Sequence, residues 1–197
     1  MIVGHHVIVG AYGFWLPNDP RGSWSEWVGS WELFCYGPAN KTMERRSLAG
    51  RNHDHELRIA AKRALKRPAV VFTGQQARAV AEGFGEYARK SGLRIWACAI
   101  LSEHIHLVIG QTDMHIKQAV IQLKGAATES LVEQGLHPFG HLKDNKGRTP
   151  KCFARGLWKV FLNPDDVPRA IRYVEDNPRK EGKKRQRWTF VTPPNYS

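Results

Sequence analysis

His104-Ile105-His106 is the tripeptide of this chain whose residue types and spacing most directly offer chemistry. It lies inside Cys98-Ala-Ile-Leu-Ser-Glu-His-Ile-His-Leu-Val-Ile-Gly110, a run of strand-forming residues. Side chains alternate across a strand, so two histidines separated by one residue project from one face while Ile105, Leu107 and Ile109 turn to the other. Neutral imidazole is the commonest metal ligand. Two of them on a rigid strand lack only a third ligand and open coordination positions to make a catalytic centre. The same spacing also describes a half-exposed polar strand face without a metal, and the pair alone leaves both readings open.

A second polar pair sits near the end of the chain. Asn163-Pro164-Asp165-Asp166 places a capping Asn before Pro at the first helical position, with an acid at the third. That pattern starts a helix, predicted to run to about Asn177, where Pro178 stops it. Val167, Ala170, Ile171 and Val174 make its buried stripe, and Tyr173 and Asn177 lie beside that stripe one turn apart. An Asn carbonyl can serve a hard cation, and a Tyr one turn earlier can bring a phenol to the same place. Equally, Tyr173 reads as a boundary tyrosine and Asn177 as the residue that ends the helix.

The elements that position these residues follow from hydrophobic period and turn chemistry. His5 to Leu16 reads as a first strand closed by Pro17-Asn-Asp-Pro20. Residues 21–52 break the pattern with Gly, Ser, Trp and charge, an insertion whose Trp24, Trp27 and Trp31 spacing predicts a short helical face used in packing. Asp54 to Lys66 is a basic helix, Ala69 to Thr73 a short apolar stretch, and Gln75 to Ser91 an amphipathic helix with Gly92 at its C-terminus. Leu93 to Leu101 and His104 to Thr112 form a hairpin joined at Ser102-Glu103. His115 to Glu133 is a helix stopped by Gly135, residues 135–156 a polar loop, and Leu157 to Leu162 a strand. This order predicts an α+β fold: a ferredoxin-like or RNA-recognition-like sandwich, with helices packed on one face of an antiparallel sheet. One domain spans 1–197, with the insertion at about 21–52 and a basic tail at about 179–197.

Thirty Lys and Arg against 18 Asp and Glu give the 197-residue chain a formal charge of +12. A polyanion is therefore the expected partner, nucleic acid before ribosome or anionic membrane surface. No apolar run approaches the ~20 residues of a membrane span, and the N-terminus lacks a secretory pattern, so a cytoplasmic location and no membrane partner are expected. Cys35, Cys98 and Cys152 are odd in number and widely spaced, which supports neither a disulfide framework nor a zinc ribbon. The absence of Gly-x-x-x-x-Gly-Lys and of His-Glu-x-x-His leaves NTP hydrolysis and zinc proteolysis unsupported. The tail carries Arg179, Lys180, Lys183, Lys184, Arg185 and Arg187 before Trp188, a set suited to phosphates and one stacked base.

Leu101-Ser-Glu-His-Ile-His-Leu-Val-Ile109 resembles the His-hydrophobic-His motif of single-tyrosine HUH transposases of the IS200/IS605 type. Ile171-Arg-Tyr-Val-Glu-Asp-Asn-Pro178 resembles the Tyr-x-x-x-Asn-Pro helix of their relatives, the REP-associated tyrosine transposases. The resemblance extends from His5 to Pro178 apart from the insertion, and departs from the pattern at Leu101-Ser102, where Met-Pro is usual. It implies that His104 and His106 bind a divalent metal, Mg²⁺ or Mn²⁺, with Asn177 as third ligand and Tyr173 as nucleophile. It further implies single-stranded DNA beside a hairpin as substrate, a 5′-phosphotyrosine with release of a 3′ hydroxyl, and a homodimer. In some relatives the subunits exchange the tyrosine helix, which the 135–156 loop would permit. Lys159 or Arg172 would assist the nucleophile, and both join the basic residues of the tail as candidate DNA contacts. The rival readings are a nucleic-acid-binding module without catalysis, a metal-dependent nuclease using water, and a domesticated processor of repeated sequences.

Overall fold

The computed structural model describes residues 1–17, 19–20, 27–39 and 52–194. In chain order the elements are β1 (Gly4–Gly10), α1 (His55–Arg63), α2 (Gly74–Ser91), β2 (Ile95–Ile100), β3 (His104–Gly110), α3 (Ile116–Glu133), β4 (Trp158–Leu162) and α4 (Val167–Lys180). Short 3₁₀ turns occupy Trp31–Tyr36 and Pro164–Asp166. The strands form one four-stranded sheet in the order β2-β3-β1-β4, with every pairing antiparallel. Among the described residues no helix is long and apolar enough to cross a membrane.

Alternation along β1 and β3 builds the main core. Val7, Val9, Ile105, Leu107 and Ile109 point to one side, where they meet Val80 and Phe84 of α2 and Val120, Leu123 and Leu131 of α3. Local signals set both helices. Thr73 and Gln76 form a reciprocal capping box at the start of α2, and Gly92, at φ 69°, ends it in the left-handed conformation. The two helices approach closely at Gly83, where a Cβ would lie 2.5 Å from the Ala126 carbonyl oxygen and 2.7 Å from the Ala127 Cα. Because those atoms are backbone, Gly83→Ala is expected to cost about 1–3 kcal/mol despite its gain in helix propensity. Thermal unfolding of the variant beside wild type checks this, and an unchanged midpoint would refute it.

The expected α+β class and antiparallel sheet are present, but only α2 and α3 share a face. Helix α4 crosses the opposite one, burying Val167, Ala170 and Val174 against Trp96, Ala97, Ala99, Val108 and Leu162. The reason lies in β2 and β3, which are apolar on both sides and therefore need cover on both. A register shift between Ile95 and Ala97 lets Trp96 and Ala97 both join the α4 side. The Trp96 indole fits there because Gly4 and Gly110 face it; a Cβ would come within 2.9 and 2.7 Å of the ring respectively.

Other boundaries shift for local reasons. Strand β1 ends at Gly10 rather than near Leu16, since the chain turns through Gly13 at φ 83°. The Ala69–Thr73 stretch buries Val70 and Phe72 without forming a strand. Pro178 does not stop α4, which runs to Lys180. The ring deletes only the N–H that would reach the Val174 carbonyl, a small loss in a final turn.

Residues 21–26 and 40–51, Trp24 among them, lie outside the described residues. In the remainder of the insertion the packing expectation is corrected. Leu33 is buried on Leu16 and Ala61, with Val28 and Tyr36 packed against that cluster, whereas Trp27 and Trp31 are 70% and 86% exposed. In a 3₁₀ turn i and i+3 eclipse, so Trp31 shares the outer side with Phe34, at 5.8 Å between ring centroids.

The C-terminal tail is not a free end. Gln186 takes the Ile100 N–H on its side-chain oxygen (2.7 Å) and donates its amide to the Ile100 carbonyl (2.7 Å). Val191 bridges to Ile95 in parallel, and Trp188, Phe190 and Val191 pack on the main core. The tail thus covers the outer edge of β2, which would otherwise present unpaired backbone.

Candidate active site

Pairing register decides what surrounds the histidines. On β3, His104 and His106 share the α4 face with Val108, opposite Gly10 and Ile8 of β1 respectively. His6, across from Val108, emerges on that same face. Its Nε2 lies 3.1 Å from His106 Nδ1. Helix α4 then supplies Tyr173, whose ring centroid is 5.6 Å from His106 and 5.6 Å from His6, edge-on to both. Phe14 stacks on His104 at 4.5 Å, and Trp158 meets His6 edge-on at 5.1 Å. The sheet thereby brings together three of the residues singled out in the sequence and one that was not, His6.

Burial grades the cluster. His6 and His106 are buried, His104 is half-buried, and Tyr173 is 37% exposed at the rim. Burial and the neighbouring His104, His6 and Lys180 charges hold His106 well below the usual imidazole range. Burial takes His6 down to about 4. Both rings are therefore neutral at pH 7, the form in which imidazole ligates a metal. Burial raises the Tyr173 phenol above its ordinary value, opposed by a hydrogen bond from Asn177. The Lys180 ammonium sits 4.1 Å from the centre of the same ring, a cation–π contact.

These shifts set how stability responds to pH in metal-free protein. Unfolded histidine takes up protons below about 6.5, whereas native His6 resists until about 4. Stability is thus complete above 6.5 and falls as pH drops from 6.5 to 4. His6 alone accounts for about 3 kcal/mol at 1.36 kcal/mol per unit. Denaturant melts in chelator across this range check the slope, and His6→Gln should flatten it.

The donors suit a divalent cation. An imidazole centroid lies roughly 3.2 Å from an ion ligated at about 2.1 Å. Two rings sharing one ion at 90–110° would therefore stand about 4.5–5.3 Å apart, and those of His104 and His106 are 4.9 Å apart. Asn177 is buried, and its Nδ2 donates to the Tyr173 carbonyl at 2.8 Å. That bond commits the nitrogen and leaves Oδ1 as the side-chain donor for a cation. Two imidazole nitrogens and one amide oxygen make a mixed set compatible with Mn²⁺ or Mg²⁺. No cluster of three or more His, Cys, Asp or Glu side chains in metal-binding arrangement occurs among the described residues.

The basic candidates disperse. Lys159 follows Trp158 on β4 and so faces the α2–α3 side, 5.4 Å from the Phe161 ring, with the sheet between it and Tyr173. The idea that it assists Tyr173 is corrected by strand alternation. Arg172 and Arg179 are exposed on α4. Arg185 pairs with Asp176 (2.7 Å) and Glu175 (3.5 Å), and Lys183 with Glu181 (2.7 Å). Lys184 is exposed, and Arg187 lines an open cleft of about 930 Å³ with Arg78, Arg89, Arg94, Trp188 and Phe190. Trp188 is half-buried, packing on the core while lining that cleft.

The architecture is an open antiparallel sheet sandwiched by helices, with His6, His104, His106 and Tyr173 gathered between the sheet and α4. No family model matches the chain, and no curated protein matches it. Among solved structures, a REP-associated tyrosine transposase bound to a REP hairpin superposes with a TM-score of 0.46 at 14% identity, over 91% of this chain and 68% of that one. A crystal structure of a Deinococcus radiodurans R1 protein assigned as a transposase superposes at 0.42 and 14% identity, over 89% and 92%.

Proposed function

We propose that this protein nicks and rejoins single-stranded DNA through a covalent bond to Tyr173, with the strand held beside a hairpin. The observation that carries the reading is the placement of Tyr173, on a separate helix, against His106 with Asn177 one turn on. The motif resemblance of both segments points the same way. In the reaction the phenol gives up its proton and its oxygen attacks phosphorus. The P–O3′ bond breaks, and the departing 3′ oxygen takes a proton, leaving a 5′-phosphotyrosine and a free 3′ hydroxyl. Because the phosphodiester energy is conserved in that linkage, the hydroxyl of another strand can reverse the step and complete strand transfer.

The residues have separable tasks. His104, His106 and the Asn177 oxygen would hold Mg²⁺ or Mn²⁺, which when bound polarises the phosphate and neutralises developing charge. Burial opposes phenolate formation at Tyr173, so the Lys180 ammonium over its ring supplies a compensating positive field. Arg172, Arg179, Lys184 and Arg187 are exposed to meet phosphates, and binding should weaken steeply with salt. Helix α4 packs on the sheet of the same chain; in that arrangement the nucleophile would serve the site of its own subunit, and exchange of α4 within a homodimer would place it in the partner's.

The test is incubation of the protein with labelled single-stranded hairpin DNAs from its genomic surroundings, with Mg²⁺ or Mn²⁺, followed by denaturing electrophoresis. A metal-dependent, protein-linked DNA band supports the reading. Cleavage without that band indicates attack by water, and tight binding with neither indicates a binding module.

A further inference from the structure

We propose that His6 is a positioning residue that sets the tautomer of His106, and with it the affinity of the site for its cation. This rests on the metal reading above. His6 Nε2 and His106 Nδ1 are 3.1 Å apart in a buried setting, so one nitrogen must donate and the other accept. A neutral imidazole carries a single N–H. If His6 donated, His106 would bear its proton on Nε2 and would have no lone pair left for a cation. If His106 donates from Nδ1, its Nε2 lone pair is available, and His6 carries its own proton on Nδ1. Only the second arrangement suits His106 as a ligand.

The surroundings fix His6 for this role. The edges of Trp158 and Tyr173 bracket its ring at 5.1 and 5.6 Å, and it lies nearly parallel to His106, at 21°. Its place on β1, diagonal to His106 across the β1–β3 pairing, is set by main-chain hydrogen bonds rather than by a flexible loop. A partner that fixes the second ring nitrogen of a metal-binding histidine typically changes metal affinity 10–100-fold when removed. His6 also contacts Tyr173, so the same ring that orients a ligand meets the ring of the nucleophile.

Two measurements decide it. Imidazole ¹⁵N shifts of the metal-free wild-type protein report the tautomer of His106 directly. The inference expects the proton on Nδ1, and a proton on Nε2 overturns it. Mn²⁺ titration followed by electron paramagnetic resonance then compares wild type, His6→Leu and His6→Gln. His6→Leu is expected to weaken binding 10–100-fold, and His6→Gln, which can place an acceptor oxygen near the lost nitrogen, should stay within about threefold of wild type. Mn²⁺ affinity unchanged in His6→Leu overturns the inference. Wild-type protein that takes up no Mn²⁺ sinks the metal reading itself, while the tautomer, read without metal, still decides whether His6 orients His106.

Discussion

Tyr173→Phe is expected to abolish the protein-linked DNA band and to reduce strand nicking by at least about 10⁴-fold, with hairpin affinity within twofold of wild type. Phenylalanine keeps the ring that packs edge-on against His6 and His106 and under the Lys180 ammonium, so the helix and the histidines keep their places. Only the oxygen is lost, and no other tyrosine has a ring contact with the histidine cluster among the described residues. Loss of a nucleophile in a preorganised site typically leaves little beyond the uncatalysed rate. The Asn177 bond to the main-chain carbonyl of residue 173 survives the substitution, and only its contact with the phenol oxygen goes with that oxygen. Gel assays with end-labelled hairpin DNA measure the rate, and fluorescence anisotropy measures affinity. Nicking by Tyr173→Phe at a tenth of the wild-type rate would mean that water, not the phenol, attacks.

Local pattern made much of this site readable in advance. Period-two alternation alone places His104 and His106 together, and the helix start at Asn163-Pro164 puts Tyr173 and Asn177 beside a buried stripe. What could not be read depends on pairing between distant strands. His5 and His6 are neighbours on one strand, so one must face each side of the sheet, but only the β1–β3 register assigns His6 to the side of His106. The side of Lys159 follows from Trp158 by the same logic, once Trp158 is known to lie against His6. The position of α4 opposite α2 and α3 was legible in principle. Val108, two residues beyond His106 on the same face, and a fully buried β2 mark strands apolar on both faces, and such strands predict two covering layers. The docking of the tail was not legible, because its anchor is a single Gln186 side chain imitating a strand partner.

Position within the sheet also assigns unequal weight to the two histidines of the motif. His104 is half-buried beside the β2–β3 turn and stacks on Phe14, whereas His106 is buried at the centre, hydrogen-bonded to His6 and in contact with Tyr173. A substitution at His104 thus removes one cation donor. One at His106 removes a donor, disconnects His6 and loosens the seat of the nucleophile.

His106→Ala is accordingly expected to lower nicking by about 10³-fold or more, and His104→Ala by about 10²-fold, at an Mn²⁺ concentration that just saturates the wild-type protein. Loss of one preorganised charge-stabilising contact costs about 10²–10³ in rate, and His106 adds the misplacement of Tyr173 to that loss. Raising Mn²⁺ should recover part of the His104→Ala rate, because the remaining imidazole and amide oxygen still form a weakened site. It should recover little for His106→Ala, where the geometry of the attacking oxygen is also disturbed. Truncating a ring that is 3% exposed also leaves a cavity, at a cost of about 2–4 kcal/mol in stability, so melting curves must show that the variant is folded at the assay temperature. Nicking rates as a function of Mn²⁺ for the two variants, on one hairpin substrate, separate the effects. Equal losses rescued equally by metal would reduce both histidines to simple donors. A folded His106→Ala protein that nicks within threefold of wild type would remove the histidine pair from the chemistry altogether.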